Sequence, residues 1–550
     1  MFYYLIFFSG LLLTLFAMPY FIQLVQKLKI VDAPDKRRIN TVPIPRMGGL
    51  LIYLIVVVSL LSYTTHFKSV ISIVIPSFLI FGCGLLDDII DMKWSVKFLL
   101  QFVSAILTVF FLKPLFGSLL IFGITIPSPL DLIVLTIFIV GVINAVNLLD
   151  GLDGLASGFS LIIFSTIFAL AFIKSNPLLL VLAAAMCGSL IGFLKSNAFP
   201  ASIFLGDTGS LSLGFFIVIS ALLTSLDLKP HILDLTFPII LLALPIVDTL
   251  KVMTLRILEK KNPFLPDKKH LHHIIYGNHI QHKITVFIIH GFCIIFAFTS
   301  LIYYKFSELY AVLIFSFFVL VLICIKQVIS FAKKIVFMQI ALKKLIAVPS
   351  GILHFYKKNF ILVSSFIIVS FIISLLPTKP FFDHSSVLFL LGISVMLLCM
   401  ALLAVKKRRG ISDIYVLFNL MIFILYSNFT RTLIEDLSNN FYLFLDIEKV
   451  FLVFFAIGVT FFIVYKDKFI QDGRSFLSGI DLTMFIFIAV AIIAHNLLEI
   501  EKLKFAGFDL LVAYLIYIWY KITIVFHAKF TKYIFYTSFA LPIFAFLLSL

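Results

Sequence analysis

The chain has 550 residues, of which 62% are hydrophobic, 16% aromatic and only 13% charged, with a formal net charge of +16 at pH 7. A soluble core of this composition would leave far too much apolar surface in water, so the composition excludes a soluble globular protein and predicts an all-α polytopic membrane protein. The basic residues sit in short breaks between apolar runs, which points to membrane topology and away from nucleic-acid binding.

The apolar runs are about 20 residues long, the length of spanning helices that satisfy their own backbone rather than of alternating barrel strands. In order they predict spans near 3–24, 48–66, 69–87, 97–113, 130–147, 159–174, 177–194, 209–226, 232–253, 284–304 and 309–325. Seven more follow near 359–376, 385–405, 413–430, 446–465, 480–498, 507–526 and 533–550. No basic segment precedes the first run and no small-residue cleavage site follows it, so it reads as a retained span rather than a signal peptide. The five cysteines lie in apolar runs without C-x-x-C spacing, which argues against disulfides and thiolate metal sites. With this order of spans, 33 of the 43 Lys and Arg residues fall on the face reached after the first span, which is therefore expected to be cytoplasmic.

Two breaks have their own character. Residues 116–129, with Gly117, Gly123, Pro127 and Pro129 around short β-branched runs, suggest a small hairpin on the outer face. Residues 331–346 carry Lys333, Lys334, Lys343 and Lys344 around an apolar middle and read as a basic amphipathic helix on the inner leaflet. The expected organisation is a membrane core over 1–325, a basic connector over 326–358 and a further transmembrane domain of unassigned role over 359–550.

Four polar stretches interrupt the core, all on the expected cytoplasmic face. The first, G-L-L-D-D-I-I-D, ends a span on Asp87, Asp88 and Asp91, which share a helical face by i, i+3 and i, i+4 spacing and repel unless a cation joins them. It reads either as an acidic cluster paired with Lys93 and Lys97 or as a diphosphate–magnesium site. The second, N-A-V-N-L-L-D-G-L-D-G, offers Asn144, Asn147, Asp150 and Asp153, whose side chains suit a nucleobase edge or phosphate oxygens, although helix capping accounts for one of the acids. In the third, F-L-G-D-T-G-S, Asp207 stands among small residues at the start of a span, as a helix cap or a magnesium ligand. The fourth, D-K-K-H-L-H-H, places His270, His272 and His273 beside Lys268 and Lys269. Without cysteine and with adjacent histidines, it suits an anionic substrate better than zinc.

Taken together, residues 1–325 resemble the polyprenyl-phosphate N-acetylhexosamine-1-phosphate transferases, integral membrane enzymes that initiate cell-envelope glycan synthesis. The resemblance rests on those motifs in the family's order, with Lys97 and Gln101 following the first, and on D-A-P-D-K-R-R-I-N-T-V-P-I-P-R-M-G-G before it, where Asn40 replaces the family's usual His. It implies transfer of a sugar 1-phosphate from a UDP-N-acetylhexosamine to undecaprenyl phosphate with release of UMP. Mg²⁺ is the implied cofactor, with Mn²⁺ as a substitute. Asp207 would then hold the metal, and Asp87 and Asp88 the lipid phosphate and the metal, the three forming the implied catalytic set. Asp150, Asp153 and Phe204 would hold the uridine, and Asn197 would lie near the diphosphate. Asn144, Asn147, Lys97, Arg38, Arg46, His270, His272 and His273 complete the implied substrate contacts. The implied setting is the bacterial plasma membrane, with its bilayer as partner, no nucleic acid, and a homodimer as a compatible assembly. Because D-K-K-H-L-H-H lacks three consecutive histidines and Ile274 stands where the muramoyl-pentapeptide branch often has Arg, the expected donor is UDP-N-acetylglucosamine or a close relative. A transporter or flippase for anionic substrates is the competing reading. It would place its polar groups near the midplane rather than at span ends.

Overall fold

The computed structural model describes residues 2–32, 43–63, 67–262, 269–278 and 280–331, together with 517, 518, 521 and 522. The chain divides into two units, and every element below belongs to the first, which comprises Met1–Lys334 and Gly479–Leu498. Arg38, Asn40, Lys268, the expected basic helix beyond Phe331 and, apart from those four positions, the expected C-terminal spans lie outside the described residues.

From the N-terminus, α1 (Phe2–Lys27) leads through a short antiparallel ladder of β1 (Val31–Asp32) and β2 (Ile44–Pro45) into α2 (Gly49–Leu61), α3 (Phe67–Ile90) and α4 (Trp94–Leu112). A hairpin of β3 (Phe116–Ile121) and β4 (Ile124–Ile126) precedes α5 (Leu130–Leu149), α6 (Leu155–Ile173), α7 (Pro177–Asn197) and α8 (Gly206–Leu228). Then come β5 (His231–Asp234), α9 (Thr236–Leu241), α10 (Ala243–Leu258), α11 (Leu271–Tyr276), α12 (His282–Lys305) and α13 (Glu308–Ile323).

Among the described residues eight helices, α1, α3 to α8 and α12, are long and apolar enough to cross a membrane. A ninth is reached if α13 is joined to the helix over Ile325–Phe331, which bends away by 76°. The span expected over 309–325 is met only by that bent pair, and two more of the eleven expected core spans differ. The run expected over 48–66 holds only the 13-residue α2, about 20 Å at 1.5 Å per residue and short of a full crossing. The run expected over 232–253 is no single helix but β5, α9 and α10 with a break at Leu242. Two prolines account for it: Pro245 has no N–H to return to Leu241, and Pro238 sets the first turn of α9.

α7 and α8 form the centre. α7 is buried along almost its whole length, and its Gly188 and Gly192, spaced as G-x-x-x-G, let the backbone of α1 approach where a Cβ would collide with Phe7 and Leu11. The outer faces of α1, α4 and α5 expose Phe16, Phe110 and Ile137, as lipid-facing surfaces do. At the end of α8 away from Asp207, the expected hairpin is present and gains a parallel third strand, in the order β4-β3-β5. Its turn runs through Phe122 and Gly123, both at positive φ, the twist that two-residue hairpins favour. Ser225 of α8 donates to the Asp234 carbonyl at 2.7 Å. The Asp234 carboxylate accepts from Lys229 at 2.8 Å and from the Tyr303 hydroxyl at 2.6 Å. Burial opposes ionisation of Asp234, but these donors outweigh it and hold the group below the usual carboxylate range.

Candidate active site

The opposite end of α8 begins at a three-helix junction built on missing side chains. A Cβ on Gly84 of α3 would strike the backbone of Asp207 and Thr208, and one on Gly49 of α2 would strike Gly209. Gly206, at φ +75°, turns the chain into the helix. With nothing between the backbones, Asp88 of α3 reaches the open N-terminus of α8. Its Oδ1 accepts from the Asp207 amide at 3.0 Å, and its Oδ2 accepts from the Thr208 amide at 2.9 Å and the Thr208 hydroxyl at 2.5 Å. Asp88 is only 2% exposed and both its oxygens are occupied, so it serves as the cap of α8.

That arrangement takes the helix-cap reading away from Asp207. The capping task is performed by Asp88, so the Asp207 carboxylate is turned away from its own backbone and into a knot of polar side chains. Lys97 of α4 donates to its Oδ2 at 2.7 Å and also pairs with Asp87 of α3, while Asn147 of α5 donates to its Oδ1 at 3.3 Å and to Ser210 at 2.7 Å. Asp87 in addition accepts from the Met92 amide at 2.8 Å. Four helices thus contribute to one cluster, and three of the four expected motif stretches supply its residues. One turn back on α5, Asn144 donates to Gln101. Asp91 does not join: α3 ends at Ile90, Asp91 takes a left-handed φ of +48°, and its exposed side chain meets Arg46 at 3.4 Å instead. The expected helical face shared by Asp87 and Asp91 therefore stops one residue short.

The acidic loop continues the site. Asp150, half-buried at the end of α5, has its carboxyl pushed up to about 7 by burial and by the negative charges of Asp207, Asp88 and Asp153. Asp153 accepts from the Ala201 amide at 2.9 Å, and its own amide donates to His282 Nε2 at 3.2 Å. Phe199 stacks on a face of that imidazole, with centroids 4.4 Å apart. Phe204, half-buried, is fixed through its backbone: its amide donates to Pro45 and its carbonyl accepts from Gly48. Asn197, 3% exposed, is engaged with Ser157 at 2.7 Å and with the Ile203 carbonyl at 3.0 Å, so in this conformation its amide shapes the loop after α7.

The histidine segment closes one side, but not as a uniform cationic cluster. His272 is buried with its ring against Gly151, and burial, with His273 and His270 as neighbours, lowers its pKa to about 3, so it is neutral at physiological pH. His270 is buried too, held by Asp248 of α10. His273 is the more accessible imidazole of the three. Sequence reasoning missed Asp248, Phe199 and the contact of His282 with the acidic loop. A single acid inside an apolar run, as in P-I-V-D-T, was the available signal for the first.

The cluster suits a hard cation. Lys97 already places an ammonium between Asp87 and Asp207, so the gap accepts positive charge. Five acids, Asp87, Asp88, Asp150, Asp153 and Asp207, crowd the region. Among the described residues no three His, Cys, Asp or Glu converge as a cage. Mg²⁺ needs none, since it keeps several waters and combines one or two carboxylates with substrate phosphates.

Comparison with known proteins identifies the family. Residues 70–225, from α3 to the end of the α8 core, match the family described as Glycosyl transferase family 4. The chain is 35% identical over 304 residues to a probable undecaprenyl-phosphate N-acetylglucosaminyl 1-phosphate transferase of Bacillus subtilis, covering 54% of this chain and 83% of that protein. It is 30% identical over 271 residues to an undecaprenyl-phosphate alpha-N-acetylglucosaminyl 1-phosphate transferase of Thermotoga maritima (49% and 81%) and 33% identical over 235 residues to a phospho-N-acetylmuramoyl-pentapeptide-transferase of a Thermoanaerobacter species (39% and 73%). A match of this extent, laid over the very helices that build the cluster, places the chain in glycosyl transferase family 4, the polyprenyl-phosphate N-acetylhexosamine-1-phosphate transferases.

Proposed function

We propose that the protein transfers N-acetylglucosamine 1-phosphate from UDP-N-acetylglucosamine to undecaprenyl phosphate and thereby starts a lipid-linked envelope glycan. An oxygen of the lipid phosphate bonds to the β-phosphorus of the donor, the bond from that phosphorus to the bridging oxygen breaks, and UMP departs with the bridging oxygen. The observation that carries the reading is the Asp87–Lys97–Asp207–Asn147 knot at the ends of spanning helices. Two substrates that both carry phosphate must meet there, so their charge has to be neutralised and their approach aligned. Mg²⁺ bound by Asp207 and Asp87 would supply that neutralisation.

The chain's own groups do the rest. Lys97 holds the two carboxylates together and adds a cation beside the phosphates. Asn147 fixes the Asp207 carboxylate from the other side, and Asp88 fixes the backbone that carries it. Asp150 and Asp153, on the loop between α5 and α6, would hold the uridine. A lipid phosphate monoester has a second pKa near 6 and is largely dianionic at neutral pH, so the attack needs little general-base help.

Purified protein with Mg²⁺, undecaprenyl phosphate and UDP-N-acetylglucosamine should release UMP, and EDTA should stop it. Exclusive use of a muramoyl-pentapeptide donor would move the protein to the other branch. No UMP from any UDP-sugar, with anionic flux across vesicles, would make it a transporter. Residues 359–550 are proposed to be an addition outside this catalytic unit.

A further inference from the structure

Within α10 stands a carboxylate that the chemistry above does not use. Asp248 is 8% exposed, and its two oxygens are directed at one target on another loop: Oδ2 lies 3.0 Å from His270 Nδ1, and Oδ1 accepts from the Leu271 amide at 2.8 Å. Its cationic neighbour one turn on, Lys251, spends its hydrogen bond on the Leu322 carbonyl at 3.0 Å, leaving His270 as the side chain bonded to the carboxylate. A buried acid is costly, and an amide would clamp the Leu271 amide equally well. What a carboxylate adds is a fixed acceptor for Nδ1–H, which settles the tautomer and the ring orientation of an imidazole. The ring so held lies parallel to that of His272, at 6.0 Å between centroids and 8° between planes, and His272 in turn rests on Gly151 of the acidic loop. One carboxylate thereby sets the register of the histidine segment against the loop assigned above to the nucleotide.

We propose that Asp248 is a positioning residue that keeps His270 protonated on Nδ1 and offers its Nε2 edge to the diphosphate of the nucleotide-sugar donor. The proposal rests on the transferase reading, and the wild-type protein tests that reading separately: if it releases no UMP, the reading fails before Asp248 is at issue.

The experiment compares wild type, Asp248→Asn, His270→Gln and the double variant for UMP release, with KM measured for donor and for lipid phosphate and melting temperature alongside. Asp248→Asn keeps an oxygen for Leu271 but turns an N–H₂ toward Nδ1, which reverses the tautomer. The expected result is a rise of about tenfold in donor KM for each single variant, an unchanged lipid KM, and no further rise in the double variant, because residues acting as one unit are not additive. In protein labelled with ¹⁵N-histidine, the His270 ring nitrogens should exchange their protonated and bare signatures in Asp248→Asn. Independent, additive effects on donor KM would overturn the proposal, as would an unaltered His270 tautomer. His270→Gln leaves the carboxylate in place, so an unchanged donor KM in that variant overturns it even if Asp248→Asn does not fold.

Discussion

Adjacent aspartates at the end of α3 are expected to fail in different ways when changed. Asp88 accepts three hydrogen bonds from the first turn of α8, each to a charged acceptor and each worth about 1.5–3 kcal/mol net. In Asp88→Asn the amide oxygen can stay on Thr208, which provides two of the three donors. The new N–H₂ then faces the Asp207 amide, one bond is lost, and the attraction between a full negative charge and the helix end, up to about 2 kcal/mol, goes with it. The sum is roughly 2–4 kcal/mol, or about 4–16 °C at about 2–4 °C per kcal/mol. We predict that Asp88→Asn lowers the melting temperature by that amount in detergent, yet retains turnover within about tenfold of wild type at a temperature where it is folded. Asp87→Asn, which keeps an oxygen for the Met92 amide, should melt closer to wild type and lose more than a hundredfold in UMP release. An Asp88→Asn protein with wild-type melting and no turnover would refute the capping argument and return Asp88 to the chemistry.

Other outcomes follow from the same geometry. Asp207→Asn should stay folded, since Asp88 and not Asp207 caps α8, and should lose most of its turnover at any Mg²⁺ concentration; near-normal turnover with unchanged magnesium dependence would shift the metal toward Asp87. His272, with its pKa lowered to about 3, stays neutral in the fold while the unfolded chain takes up a proton below about 6.5, so stability should fall as pH drops from about 6.5 toward 3. Replacing it with Phe should flatten that acid limb in a series of melting curves, and an unchanged slope would show that the imidazole is not the group responsible. A protein ending near Tyr356 should insert and keep most of its UMP release, and total loss in a correctly inserted truncation would make the C-terminal spans part of the catalytic unit.

Eight of the core spans and the motif stretches were legible because each follows from local chemistry: apolar length for the helices, acids and amides at their ends for the site. Even so, spacing alone misplaced Asp91, because where a helix stops is decided by the chain that follows, and a left-handed residue at that point sends the side chain outward. The division of labour between Asp87 and Asp88 could not be read from two identical neighbours. It depends on Gly84, which lets α3 approach the start of α8, and on Gly206, 118 positions beyond Asp88, where a Cβ would strike the Asp88 carboxylate. The histidines show the opposite problem. Residue type suggested a cationic mouth, whereas burial against Gly151 makes His272 a neutral packing group, and burial is a property of the assembled fold. The broken run at 232–253 was visible in Pro238 and Pro245 but was outweighed by its hydrophobicity.

The helix that carries Asp207 is fastened at both extremities: Asp88 and the glycine contacts hold its start, and the Lys229–Asp234–Tyr303 group with the small sheet holds its finish. It therefore behaves as a stator. Substrate entry and product exit then take place against a fixed α8, with the Asp207 carboxylate held relative to Asp88 and Lys97. A spectroscopic label on α8 should report the same environment with and without nucleotide, and a label on α11 should not.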